Sequence, residues 1–125
     1  MSSLKFYVRE GYWGMSVAIE TLLRDMGFEN IERGGDVFPE SADVVITFWG
    51  TTREGKEDPR CAEDSHNTVA ACRGFGVPCI IHTRFPGAVP EEYVQQKHVT
   101  VIKKGDWDGL RAAVKRVATM SALND

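Results

Sequence analysis

"DVVITFW" (43–49) decides the fold. After Asp43 the run is β-branched or aromatic and almost wholly apolar, with no alternation of polar and apolar positions. A strand with one wet face alternates; a strand that does not is covered on both faces, the usual condition in a parallel sheet. The reading therefore begins from a central parallel strand and moves outward.

Upstream, "LKFYV" (4–8) reads as a first strand and "NIERG" (30–34) as a short second one. Between them "SVAIETLLRDMGF" (16–28) carries Ile19, Leu22, Leu23 and Met26 at helical spacing, with Ser16 as N-cap and Gly27 as C-cap. Downstream, "SHNTVAACRGFG" (65–76) is a helix of small side chains suited to close approach to a sheet. "VPCIIHT" (77–83) and "HVTVIKK" (98–104) are the fourth and fifth strands. The last helix follows Asp106 as N-cap and turns Trp107, Leu110, Val114 and Val117 inward. "GDVFPESA" (35–42) is too short for a regular helix, whereas "RFPGAVPEEYVQQK" (84–97) has room for a short one near Pro90.

Strands alternating with helices give a parallel sheet covered on both faces. The expected architecture is a single α/β domain over residues 1–125, a flavodoxin-like three-layer sandwich of five parallel strands in the order 2-1-3-4-5. A chain of 125 residues can bury a core without disulfides or metals. The net charge of -3 argues against a nucleic-acid partner, which usually leaves a basic stripe. No run approaches the length that spans a bilayer, and the first residues lack the pattern of a leader, so a membrane is not expected. Three cysteines (Cys61, Cys72, Cys79), an odd number with no CxxC, suit a reduced, cytoplasmic setting. Cys61 and His66 have a spacing compatible with shared metal ligation, but no second close pair completes a site, so neither metal nor cofactor is expected.

In open α/β sheets ligands bind beyond the carboxyl ends of the strands. Three loops leave from there: "REGYWGM" (9–15), "GTTREGKEDPRCAED" (50–64) and "RFPGAVPEE" (84–92). The long charged 51–64 segment is thus placed to act as a lid. Arg9 is a candidate phosphate or carboxylate contact, or else half of a surface salt link. Tyr12, Trp13 and Trp49 are candidates for a wall on which a purine or pyrimidine stacks, or else for core packing on the first helix. The same aromatic cluster, if exposed, would suit a homodimer. His66 beside Asp64 and Asn67 is a candidate acid/base or phosphate contact, against a duller role in local capping. His82 faces the cleft or simply finishes its strand, His98 belongs to the surface, and Cys72 and Cys79 to the core.

The element order resembles a response-regulator receiver domain, with Thr83 and Lys103 or Lys104 at the positions of that family's threonine and lysine. The acceptor aspartate is missing, since Thr47, Phe48 and Trp49 stand there, and Arg9 with Glu10 replace the acidic pair. A flavodoxin's hydroxyl-rich phosphate loop has no counterpart in "VREGYWGMS" (8–16), although "FWGTT" (48–52) is similar to that family's third-strand exit.

"KFYVREGYWG" (5–14), "SADVVITFWG" (41–50) and "DSHNTVAACRGFGVPCII" (64–81) together resemble the nucleoside 2-deoxyribosyltransferase family and its nucleotide-hydrolase relatives. The likeness extends to Asp43-Val44-Val45, to Gly76-Val77-Pro78 and to the closing "VTVIKKGDWDGLRAAV" (99–114). It implies N-glycosidic cleavage or transfer, in which a carboxylate traps or stabilises positive charge on the sugar. At the family's spacing from Pro78 that carboxylate falls on Thr68, which has none; Asp64, one helical turn earlier, is the substitute and Glu63 a poorer one. The leading expectation is a protein that binds a nucleoside or nucleotide, with Asp64 and His66 as the catalytic pair if it is an enzyme. Arg9, Tyr12, Trp49, Asn67 and Thr83 are its expected ligand contacts. The alternative is a non-catalytic regulatory or partner-binding module of receiver-like build.

Overall fold

The computed structural model describes residues 4–10, 13–34 and 41–124; for Trp13, Ala62 and residues 121–124 it describes the backbone alone. Five strands, β1 (Phe6–Arg9), β2 (Ile31–Arg33), β3 (Val44–Thr47), β4 (Cys79–Thr83) and β5 (Val99–Lys103), form one sheet. Its order is β2-β1-β3-β4-β5 and every pairing is parallel. This is the arrangement expected from the unbroken apolar run at 43–49, and every residue of β3 and β4 is buried.

Among the described residues four helices flank the sheet: α1 (Trp13–Asp25), α2 (Ala62–Phe75), the short α3 (Glu91–Val94) and α4 (Trp107–Asn124). The strands' period of two divides the core into two layers. Phe6, Val8, Val44, Ile46 and Ile80 pack with Ile19, Leu22 and Leu23 of α1 and with Leu110, Val114 and Val117 of α4. Tyr7, Val45, Cys79, Ile81 and Val99 face the other way, onto Val69 and Cys72 of α2. The inward residues expected for the first and last helices are those that are buried, with Met26 and Trp107 packed at the edge of their layer.

Two helix starts differ from expectation. Helix α1 begins three residues before Ser16, and Ser16 lies buried within it. Helix α2 begins at Ala62 rather than 65, with Cys61 at the N-cap position and no side-chain cap. Asp64, Ser65 and His66 therefore sit inside its first turns. Other boundaries hold: Gly27 takes a left-handed φ of 97° just past α1. Asp106 caps α4, its Oδ1 accepting from the Gly109 amide at 2.9 Å. The 84–97 segment holds a 3₁₀ turn (Pro86–Ala88) and then α3 after Pro90. Segment 35–40 and the loop tip with Tyr12 lie outside the described residues. Among the described residues no helix is long and apolar enough to cross a membrane.

Candidate functional site

A cleft of about 780 Å³ opens beyond the carboxyl ends of β3, β4 and β5. The sheet order makes this convergence: residues just past different strands, far apart in sequence, become neighbours along one edge. Phe48, Trp49 and Gly50 come from the exit of β3, His82 to Phe85 from β4, Lys104 from β5 and Glu10 from β1. Thr51, Thr52, Arg53, Asp58 and Cys61 complete it from the long charged loop.

That loop folds back on itself. Thr51 and Glu57 form an antiparallel bridge, the Thr52 amide donates to Lys56 O at 2.7 Å, and the Gly55 amide donates to Thr52 O at 3.1 Å. Gly55, with φ of 83°, lies against the ring of Phe85, where a Cβ would come within 2.9 Å of Cδ1. The hairpin thereby touches the β4 loop across the cleft mouth. Its base is fixed at Gly50, whose carbonyl accepts from the Asp58 amide at 2.9 Å and whose amide donates to Ser65 Oγ at 3.0 Å. Arg60 binds both oxygens of Asp58, and this holds the Asp58 carboxyl below the usual carboxylate range. Cys61 borders the same space. Burial, with Asp58 second, pushes its thiol up, so the group is a thiol and not a nucleophilic thiolate near neutrality.

The floor carries His82, fully buried at the end of β4. It projects onto the α1/α4 side, where its ring centroid lies 5.5 Å from that of Trp107. Burial first, then the Lys104 ammonium, lowers its pKa to about 4, and the imidazole is neutral at pH 7. Lys104 Nζ stands 3.9 Å from a carboxylate oxygen of Glu10, whose side chain is 2% exposed.

The residues expected from the sequence divide into two groups. Trp49 and Thr83 line the cleft. Trp49 is buried within its own chain rather than forming an exposed aromatic patch, its ring packed on His66 (4.9 Å, edge-on) and on Tyr93 (5.8 Å). The Thr83 hydroxyl accepts from the Phe85 amide at 3.3 Å. Arg9 and Asp64 stand at the same edge but are joined to each other, the guanidinium donating to both carboxylate oxygens in the bidentate geometry of strong pairs. His66 is held at both nitrogens, by Glu57 of the hairpin at Nε2 and by the Tyr93 hydroxyl at Nδ1 (2.8 Å). Burial, aided by the Glu92 and Glu57 carboxylates, pushes the Tyr93 phenol up, so it stays a hydroxyl. Asn67 is exposed on α2. Asp64, His66, Arg9 and Asn67 do not line the cleft. His98, expected at the surface, is half-buried; burial lowers its pKa, partly offset by a hydrogen bond with the Val69 backbone.

The sequence places Glu10 at the cleft edge after the first strand, but does not mark Lys104 or Arg84 as cleft residues and leaves His82 between two roles. The available signal was a titratable side chain inside the apolar run "CIIHT" (79–83), where nothing but burial was expected.

No family model matches the sequence, and no curated protein does. Among solved structures, the solution NMR structure of a de novo designed Rossmann 2x3 fold protein superposes with a TM-score of 0.63 at 12% identity, covering 93% of this chain and 90% of that one. The chain therefore has a Rossmann-like α/β fold.

Proposed function

We propose that the chain binds a nucleotide in the cleft beyond β3, β4 and β5. The observation that carries this reading is the lining itself. Three aromatic rings (Phe48, Trp49, Phe85) share one space with three cationic side chains (Arg53, Arg84, Lys104) in a protein whose net charge is -3. Of the two acids in the lining, Asp58 is engaged by Arg60 and Glu10 faces Lys104. Flat apolar walls suit a base, and arginine suits phosphate by geometry and charge. Arg84, exposed at the rim, lies over the Phe85 ring at 5.5 Å.

The N-glycosidic chemistry implied by the deoxyribosyltransferase resemblance is an extension of this reading. It needs a carboxylate at the sugar, and Asp64 would have to leave Arg9 to supply one. Binding is accordingly the conclusion and cleavage the assay that follows it. Free thiols at Cys61, Cys72 and Cys79 accord with the cytoplasmic setting that belongs to the same proposal.

The test is a thermal-shift screen against nucleosides, nucleotides, dinucleotides and flavins. A ligand at a hundred times its Kd adds about 2.7 kcal/mol, on the order of 10 °C in Tm for a chain of this size. The expected result is a shift with nucleotides that weakens as salt rises. No shift at millimolar ligand overturns the reading in favour of the partner-binding module.

A further inference from the structure

The imidazole of His82 is fully buried on the cleft floor, and among the described residues neither of its ring nitrogens has a hydrogen-bond partner. Folded proteins rarely leave buried polar groups unmatched, and such a group calls for an explanation. The Trp49 indole N–H, also buried and also on a residue lining the cleft, is likewise unmatched.

The chemistry of this ring limits what can satisfy it. A neutral imidazole offers one N–H donor and one lone-pair acceptor. A phosphate ester at neutral pH is mostly the dianion, an acceptor: it would meet the N–H, leave the bare nitrogen unmatched and gain no charge from a neutral ring. The rim of a nucleobase carries donors and acceptors at adjoining positions, on a flat apolar body suited to a lining that includes Phe48, Trp49 and Phe85. Arg53 and Arg84 are exposed in the lining, whereas Lys104, the cation that acts on His82, faces the Glu10 carboxylate.

Resting on the nucleotide-binding reading above, we propose that His82 is the specificity-determining contact of the cleft. It pairs with the donor- and acceptor-bearing rim of a nucleobase, while the phosphates lie toward Arg53 and Arg84. The ligand thus enters base first. A site built to hydrogen-bond a ligand rejects analogues lacking the matching group, so discrimination among bases originates at this ring.

The experiment follows the ring nitrogens of His82 by NMR in the full chain labelled with ¹⁵N-histidine. Adenosine, guanosine, cytidine, uridine, ribose 5-phosphate and inorganic phosphate are each titrated in. At least one nucleoside is expected to shift the His82 nitrogens by several ppm, and ribose 5-phosphate and phosphate are not. His82→Phe is expected to lose at least tenfold in affinity for that nucleoside with Tm unchanged or raised, since an unmatched polar group has been removed. His82→Gln, which keeps a donor and an acceptor, recovers part of the affinity. A shift with phosphate or ribose 5-phosphate but not with nucleosides overturns the proposal, as does full affinity in His82→Phe. In both cases nucleotide-induced gains in wild-type Tm leave the binding reading standing. If no nucleoside or nucleotide moves either Tm or the His82 nitrogens, both fall together. Should His82→Phe fail to fold, the wild-type spectra decide alone.

Discussion

The Gly50 amide donates to Ser65 Oγ at 3.0 Å, in a buried bond that ties the exit of β3 to the first turns of α2. The same glycine leaves no room on its other side: a Cβ there would lie 2.2 Å from Cys61 Sγ. The cleft wall is thus set by one residue that is fixed by a hydrogen bond and by close contact at once. Ser65→Ala leaves a buried amide without its acceptor and is expected to cost about 1–3 kcal/mol in urea unfolding. Ser65→Thr, which keeps a hydroxyl, should cost less where its methyl is accommodated.

Gly50→Ala should destabilise by a comparable amount, ~1–3 kcal/mol, through overpacking against Cys61. Because the clash is with the sulfur, Cys61→Ala in the same chain should return part of the loss, leaving a Cβ contact of 3.1 Å. A double-mutant cycle reads this coupling directly. Additive losses would show that the sulfur moves aside freely.

Gly55→Ala places a side chain at a left-handed φ and against the Phe85 ring. The backbone cost alone is roughly 1–2 kcal/mol. Since the hairpin is a local unit, the effect should appear chiefly as faster trypsin cleavage after Arg53 and Lys56, with a smaller change in global Tm.

The stability of the chain should fall in mild acid. The folded-state pKa of His82 is about 4, against 6.5 for the free side chain. Between those values the unfolded chain binds the proton and the folded chain does not. The contribution is therefore fully present above pH 6.5 and is lost as pH falls toward 4, by about 3 kcal/mol in all. His82→Phe should flatten this part of the pH–stability curve, as measured by urea unfolding at intervals from pH 7 to 4.

Asp64→Asn breaks a pair whose carboxylate is 43% exposed. Exposed pairs contribute little, so the loss of stability should stay below about 1 kcal/mol. Nucleotide affinity should remain within about twofold of wild type, because Asp64 does not line the cleft. Titration calorimetry checks both this and Arg84→Ala, which should weaken nucleotides more than nucleosides.

The sequence disclosed the sheet because burial on both faces leaves a mark in composition. "DVVITFW" has no alternation, and the inward residues of the first and last helices repeat at helical spacing. That same uniformity hid the site. In "CIIHT" all five residues are buried, so the pattern did not say which face His82 uses or that it meets Trp107. Glu10 and Lys104 are ordinary charged residues at strand ends, and only the placing of β1, β3, β4 and β5 side by side makes them neighbours. Asp64 and His66 were legible as chemically capable side chains. Their partners Arg9, Glu57 and Tyr93 come from other elements, and no spacing rule along the chain links them.

Trp49 in the cleft lining and Trp107 against the floor histidine give the protein separate optical channels. Trp49 rests against His66 and Tyr93 on one side of the sheet, and Trp107 against His82 on the other. Emission from Trp107 will register protonation of the floor histidine, while emission from Trp49 will register displacement of the hairpin through Glu57 and His66. With single-tryptophan variants, ligand entry and hairpin opening become two signals whose order in time can be read from one mixing experiment.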